Sequence, residues 1–139
     1  MCNNCDYTIH GRHHHFGWDR SIPPVATVAP GSSLHFECLD SSGGQLTKDS
    51  TVADIGALSF DKINPVTGPI HVDGAEPGDI LKVQIDGFEP SGFGWTANIP
   101  GFGLLADQFE DPALNIWSYD ADTMAPALYC DIAKGFSGV

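Results

Sequence analysis

The acidic residues that follow Phe36 are the first candidates for chemistry. Glu37 lies two residues before Leu39, so a strand here would place both side chains on one face. Asp40 comes at the expected strand end, beside the glycine-rich loop Ser41–Gln45. An acid on an apolar face needs a partner, a metal or a cleft. Two carboxylates placed in this way could hold a cation or activate water. The residues alone favour the simpler interpretation, an exposed Glu37 and a turn-capping Asp40.

A second acidic pair, Glu76 and Asp79, flanks Pro77-Gly78 just before an alternating apolar segment. The simpler interpretation is turn chemistry, in which the Asp79 carboxylate accepts backbone N–H groups. The chemical interpretation makes Glu76 a general base or a metal ligand. The residues alone leave both interpretations open.

The N-terminus combines a C-x-x-C pair, Cys2 and Cys5, with His10 and the run His13–His15. Zinc sites use these ligand types. A second tight pair is missing and chain termini tend to fray, so a zinc knuckle is the less favoured interpretation. A disulfide scaffold is less favoured still, because nothing in the sequence marks secretion.

The elements that must position these residues are short strands between turns. We expect strands at Ala26–Val28, Ser33–Leu39, Ile70–Val72, Ala113–Tyr119 and Ala127–Ile132. Cys38 and Cys130 lie within two of these runs and are expected to be small buried hydrophobic residues. His71 stands between two apolar neighbours and should therefore face solvent.

The clearest strand pattern is Ile80–Phe88, where Leu81, Val83 and Ile85 alternate with polar residues. This alternation favours an antiparallel sheet with one wet face. Many short strands between turns predict a mainly β fold, an antiparallel β-sandwich or barrel.

Two other segments complete the predicted elements. Thr51–Phe60 is the best helix candidate, although Gly56 weakens it. Ser91–Gly103 is predicted to be a loop rich in glycine and aromatic residues. It could form a pocket wall or plug the end of a sandwich, and the residues favour neither alternative.

The charge balance excludes two classes of partner. The chain has 6 basic and 18 acidic residues, a net charge of −12. Nucleic acid and anionic membrane surfaces attract basic proteins, so neither is an expected partner. No apolar run reaches the length of about 18 residues that a membrane span needs, and no signal-peptide core is present, so a cytoplasmic location is expected.

Taken together, several segments resemble the acetamidase/formamidase family. The matching pieces are HFGWD at His15–Asp19, then Pro24–Gln45, Ile63–Ile85 and Gly94–Leu105. The order and spacing of FECLD, GGQ, NPVTGP and GAEPGD are specific in combination, although each is weak alone.

The resemblance implies metal-assisted hydrolysis of formamide or acetamide to ammonia and a carboxylate, by an enzyme whose N-terminal part is a sandwich or jelly-roll-like structure. The implied cofactor is a divalent metal, zinc first and calcium as the alternative. The motifs assign Glu37, Glu76 and Gln45 to catalysis, Glu37 and Asp40 to the metal, and Asn64 and Trp95 to substrate binding.

The chain departs from the family pattern in length, since it resembles only the N-terminal half. The segment G-D-x-H-A…G-D-G-E of the family's second half is absent. We therefore expect an N-terminal arm (residues 1–20), and an incomplete sandwich-like domain (residues 21–139) that pairs with a C-terminal-half polypeptide or forms a homo-oligomer. The isolated chain should have little or no amidase activity. The alternative is a non-catalytic β-sandwich module that binds a cation or completes a partner subunit's site.

Overall fold

Short β-strands make up most of the regular structure in the computed structural model, which describes residues 5–122. The strands are β1 (Tyr7–Ile9), β2 (His14–His15), β3 (Ala26–Val28), β4 (Leu34–Phe36), β5 (Val66–Thr67), β6 (Ile70–Val72), β7 (Phe93–Asn98) and β8 (Ala113–Ser118). Helical structure in this range is limited to α1 (Val52–Ile55) and a 3₁₀ turn (Phe60–Lys62). The prediction of a mainly β fold is confirmed.

The chain divides into two compact units. The first unit comprises Met1–Gly44 and Ser59–Ile85, and the second comprises Gln45–Leu58 and Asp86–Val139. Strands β1 and β2 contribute to the first unit. The division into an arm of residues 1–20 and a domain of residues 21–139 stays a prediction.

In the first unit, three strand pairs bring distant parts of the sequence together. Strand β1 runs parallel to β4, with Tyr7 opposite Leu34. Strand β3 runs parallel to β6, and β2 runs antiparallel to β5. The last residues of β1 and β3, Ile9 and Val28, are buried. The β-branched residues in these short strands suit a half-buried pleated surface.

In the second unit, β7 and β8 form an antiparallel pair with Phe93 opposite Ser118. The indole Nε1–H of Trp117 donates to Oγ1 of Thr96 at 2.8 Å across this pair. Helix α1 begins after Thr51, whose backbone N–H donates to the Asp54 carboxylate at 2.7 Å. This reciprocal arrangement is a capping box, and it satisfies donors that a helix start leaves unpaired.

Several predicted elements agree with the structure. The strands Ala26–Val28 and Ile70–Val72 are confirmed with the same bounds, and Ala113–Tyr119 is confirmed one residue shorter. Ser33–Leu39 is reduced to its N-terminal half, β4, and the predicted helix Thr51–Phe60 is reduced to α1. The predicted strand Ala127–Ile132, with Cys130, lies outside the described residues.

Other predictions were wrong. Ile80–Phe88 forms no strand, because no neighbouring strand pairs with it within residues 5–122. The predicted loop Ser91–Gly103 contains β7. The glycine and aromatic residues of this segment had indicated a loop instead of a strand. Cys38 is exposed rather than buried, because β4 ends before it, whereas the solvent-facing position of His71 is confirmed.

The sheets are small, so the sandwich or jelly-roll arrangement stays a prediction. Within residues 5–122, two of the four strand pairs are parallel, whereas the sequence predicted an antiparallel sheet. Across residues 5–122, no helix has both the length and the apolar character that crossing a membrane would require.

Candidate active site around Glu37

The backbone of Glu37 is held between two strand pairs. Glu37 directly follows β4, and its N–H donates to the Ile9 carbonyl oxygen at 3.0 Å, which extends the pairing with β1. Its own carbonyl oxygen accepts the Thr67 hydroxyl at 3.0 Å. A methyl group on Gly11 would lie 3.0 Å from that same carbonyl oxygen, so the chain passes close by. These contacts hold the Glu37 backbone, and therefore its Cα–Cβ bond, in a defined position.

The Glu37 carboxylate has two donors from the turn that follows β1. Its Oε2 lies 3.0 Å from Nδ1 of His10 and accepts the Gly11 N–H at 3.2 Å. The hydrogen bond from His10, followed by that from Gly11, lowers the pKa of Glu37 below its ordinary value. The side chains of His10 and Glu37 are 42% and 50% exposed, so a small solute can reach the pair.

The histidine turn is ordered by its own hydrogen bonds. The His13 N–H donates to the His10 carbonyl at 2.9 Å. Nδ1 of His14 donates to the Gly11 carbonyl at 2.7 Å, because a carbonyl can only accept. Nδ1 of His15 is buried without a hydrogen-bond partner among the described residues. The turn therefore presents His10 to Glu37 from a fixed backbone.

Asp40 is engaged by its own loop. Its carboxylate accepts the Ser42 hydroxyl at 2.7 Å through Oδ2 and the Gly44 N–H at 2.8 Å through Oδ1. The Gly43 N–H donates to the Asp40 carbonyl at 2.9 Å. These contacts match the turn-capping interpretation, in which an aspartate organises the loop that follows it.

Asn64 lies beside this loop. Its N–H donates to the Ser41 carbonyl at 2.8 Å, and its backbone adopts a φ of 53° that asparagine tolerates better than most residues. The Asn64 side chain is exposed. The structure thus brings Asn64 and the Asp40 loop together in the first unit.

The second acidic pair forms a closed turn. The Glu76 N–H donates to Oδ2 of Asp79 at 2.9 Å, and the Asp79 N–H donates back to the Glu76 carbonyl at 3.1 Å. The turn-forming role of Asp79 is confirmed. Glu76 is exposed, and its catalytic role stays a prediction.

Two predicted site residues belong to the second unit. Gln45 is its first residue and is half-buried. Trp95 lies on β7 opposite Ile116 and is also half-buried. Their assignments to oxyanion and substrate binding stay predictions.

The metal-ligand roles of Glu37 and Asp40 stay predictions. Glu37 is bonded to the histidine turn and Asp40 to its own loop. Residues 5–122 contain no cluster of three or more His, Cys, Asp or Glu side chains able to hold a metal ion. Cys5 is disulfide-bonded, which removes it as a thiolate ligand, and Cys2 lies outside the described residues.

His10 is the functional candidate that sequence reasoning did not connect to Glu37. The two residues are 27 positions apart, and the parallel pairing of β1 with β4 brings them together. Periodicity predicts which face a residue occupies and carries no information about which strand lies beside it. The available signal was a histidine directly after a short apolar run.

The sequence of this chain is similar to a known protein family. The family model described as "Acetamidase/Formamidase family" matches residues 4–128. The chain is 33% identical to a formamidase of Methylophilus methylotrophus over 82% of this chain and 28% of the relative. It is 34% identical to an acetamidase of Mycolicibacterium smegmatis over 76% of this chain and 29% of the relative. The matched stretch is thus less than a third of these curated relatives, a smaller share than the half that the sequence suggested.

Solved structures give the same result for the fold. A recombinant predicted acetamidase/formamidase from the thermophile Thermoanaerobacter tengcongensis matches with a TM-score of 0.76 and 28% identity, over 88% of this chain and 40% of that chain. A gamma lactamase from Delftia acidovorans shares the fold, with a TM-score of 0.67 and 24% identity, over 82% of this chain and 32% of that one. Because the family model covers most of the sequence, this chain belongs to the acetamidase/formamidase family.

Proposed function

We propose that this chain supplies part of an enzyme that hydrolyses short linear amides, such as formamide and acetamide, to ammonia and a carboxylate. Family membership and the similarity to a formamidase and an acetamidase support the reaction class. The observation that carries the proposal for this chain is the contact between the Glu37 carboxylate and Nδ1 of His10 at 3.0 Å.

Amide hydrolysis needs a base that takes a proton from the attacking water and an acid that protonates the departing nitrogen. A glutamate with its ordinary pKa is already ionised at neutral pH, so the Glu37 carboxylate is the acceptor and Nδ1 of His10 carries the proton. In the neutral imidazole, Nε2 is then the acceptor. His10 can take the proton from water through Nε2 and return it to the leaving ammonia, while Glu37 orients the ring.

The divalent metal implied by the family resemblance stays a prediction, with zinc first and calcium as the alternative. His10 and Glu37 are ligand types that zinc accepts. The described residues supply no third ligand in the same cluster, so they do not by themselves fit a complete zinc site. The water activation proposed above therefore uses only the chain's own acid and imidazole.

The remaining site assignments are proposals of different kinds. Asp40 keeps its proposed metal-ligand role and Asn64 its proposed substrate-binding role, and the hydrogen bonds from Ser42 and Gly44 orient the Asp40 carboxylate. Glu76, Gln45 and Trp95 keep the catalytic, oxyanion and substrate-binding roles assigned by their motifs. Homo-oligomerisation is likewise a proposal.

The test is a reconstituted enzyme that combines this chain with a polypeptide containing the part of the T. tengcongensis protein outside the matched stretch. Ammonia release from formamide and acetamide is measured for Glu37→Gln, His10→Asn and the control Asp61→Asn. Asp61 is a suitable control because its pKa is also lowered, by the Ser59 hydroxyl, without an imidazole partner.

We expect kcat to fall about 100-fold or more in Glu37→Gln and His10→Asn, which is the range for a lost acid–base catalyst. Asp61→Asn should keep the parent turnover. If the reconstituted enzyme releases ammonia equally well with all three variants, the acid–base proposal is wrong. The chain would then be a non-catalytic module that completes a partner subunit's site, which is the alternative function.

A further inference from the structure

Strand β5 contacts both the acid of the candidate site and the turn that carries its imidazole. The Thr67 hydroxyl donates to the Glu37 carbonyl oxygen at 3.0 Å, across 30 positions of the sequence. In the β2–β5 pairing, the same residue lies opposite His14, whose Nδ1 donates to the Gly11 carbonyl. One residue of β5 therefore connects the backbone of the acid with the histidine turn.

Backbone hydrogen bonds also tie the histidine turn to the end of β5. The Gly68 N–H donates to the His13 carbonyl oxygen at 2.8 Å, directly beside the pairing of Thr67 with His14. The His13 N–H donates in turn to the His10 carbonyl oxygen at 2.9 Å. A continuous path of hydrogen bonds thus leads from β5 to His10.

The Glu37–His10 contact needs such support because both side chains are half exposed, at 50% and 42%. A contact between two exposed side chains contributes little by itself, because water screens it and the rotamers of both residues must be ordered. The contact is favoured when the two backbones are held at a fixed separation. The pairing of β1 with β4 holds Glu37 on one side, and the Thr67 hydroxyl holds it on the other.

We propose that Thr67 is a positioning residue of the candidate site, whose hydroxyl holds the Glu37 backbone so that the carboxylate meets the imidazole of His10. The proposal gives a role to a second residue of the NPVTGP segment, besides Asn64. Its consequence for turnover rests on the proposed amide hydrolysis, whereas its consequence for the Glu37–His10 contact does not.

Three substitutions separate this role from that of an ordinary strand residue. Thr67→Val keeps the β-branched shape that suits a strand and removes the hydroxyl, whereas Thr67→Ser keeps the hydroxyl. Thr27→Val makes the same change on β3, where Thr27 lies opposite His71. Because the bond to the Glu37 carbonyl is exposed, water can replace the lost donor and Thr67→Val should fold. Thr67→Ala removes the same hydroxyl and is used if Thr67→Val does not fold.

The contact is measured in the full 139-residue chain, without any need for turnover. Nitrogen NMR of the His10 ring, at a pH where the imidazole is neutral, reports which ring nitrogen carries the proton. The Glu37 carboxylate keeps this proton on Nδ1, and loss of the contact lets it redistribute to Nε2. Hydrogen exchange of the Gly11 amide reports the second hydrogen bond to the same carboxylate. Values of kcat and KM for formamide are then measured in the reconstituted enzyme.

We expect Thr67→Val to move the His10 proton away from Nδ1 and to speed exchange of the Gly11 amide. In the reconstituted enzyme, kcat should fall about tenfold or more with KM nearly unchanged, because a displaced acid–base pair loses rate without losing substrate binding. Thr67→Ser should restore most of the parent values, and Thr27→Val should match the parent in every measurement.

An unchanged His10 ring and Gly11 amide in Thr67→Val would overturn the proposal, whatever the turnover. The same changes in Thr27→Val, or no recovery in Thr67→Ser, would also overturn it. If neither Thr67→Val nor Thr67→Ala folds, Thr67 is a structural residue and the proposal is wrong. A displaced His10 proton together with parent turnover would support the positioning of the pair and contradict its part in amide hydrolysis.

Discussion

A single methyl group at Gly43 should destabilise the Asp40 loop much more than the same group at Gly44. Both glycines have positive φ, 70° and 79°. A Cβ at Gly43 would lie 2.3 Å from the Lys62 carbonyl oxygen, closer than the 3.0 Å that real Cβ atoms keep. A Cβ at Gly44 would have nothing within 4 Å. Comparing alanine at the two positions therefore separates the free-energy cost of the backbone conformation from the cost of steric overlap.

The expected magnitudes follow from these two terms. A positive φ costs an alanine about 1–2 kcal/mol, which is the whole effect expected for Gly44→Ala. Gly43→Ala adds the cost of moving two backbone segments apart, about 1–3 kcal/mol by analogy with overpacked sites. We expect a total near 3 kcal/mol, which is a large share of the stability of a small domain.

Urea unfolding of the two variants measures the difference. With a slope of about 2 kcal/mol/M, Gly43→Ala should lower the midpoint by about 1.5 M and Gly44→Ala by about half of that. Equal midpoints for the two variants would refute the close approach of the Asp40 loop to the Lys62 carbonyl. The slopes should agree with the parent, because neither variant changes the surface exposed on unfolding.

Two further predictions concern the candidate site. His10→Asn should raise the pKa of Glu37 towards its ordinary value, because the hydrogen bond from His10 is the largest cause of the lowering. A carboxyl NMR titration measures this pKa. The same Glu37 pKa in parent and variant would contradict the contact between the two side chains. Because the folded-state pKa is lowered, the stabilisation from this pair is complete above the ordinary glutamate pKa and is lost as the pH falls through the lowered value, so parent and variant should converge in acid. The isolated 139-residue chain should release no measurable ammonia from formamide, and sustained release would contradict the need for the rest of the fold.

The strands of the first unit show how far the sequence determines the fold. Ala26–Val28 and Ile70–Val72 could be located because β-branched residues stand between clear turn signals. Their parallel pairing could not be predicted, since period two specifies a face and not a neighbour. Ile80–Phe88 has the strongest alternation in the chain, yet it forms no strand among the described residues. A pattern shows that a segment suits a sheet, and the sheet also needs the adjacent strand.

The candidate site was predictable to a similar extent. Glu37 stood out because an acid beside apolar residues demands a partner. The partner, His10, became visible only through the β1–β4 pairing. The turn-forming role of Asp79 was predictable because it depends on neighbours three residues away. Local hydrogen bonds follow from local sequence, and long-range ones follow from the fold.

Glu37 and Asp40 are only three residues apart, yet their hydrogen-bond donors come from different distances along the chain. Asp40 accepts hydrogen bonds from residues two and four positions later, and the loop that they form also accepts the Asn64 N–H at the Ser41 carbonyl. Glu37 takes its donors from residues 27 and 26 positions earlier, so its contact exists only when β1 lies beside β4. The lowered pKa of Glu37 is therefore a property of the folded sheet.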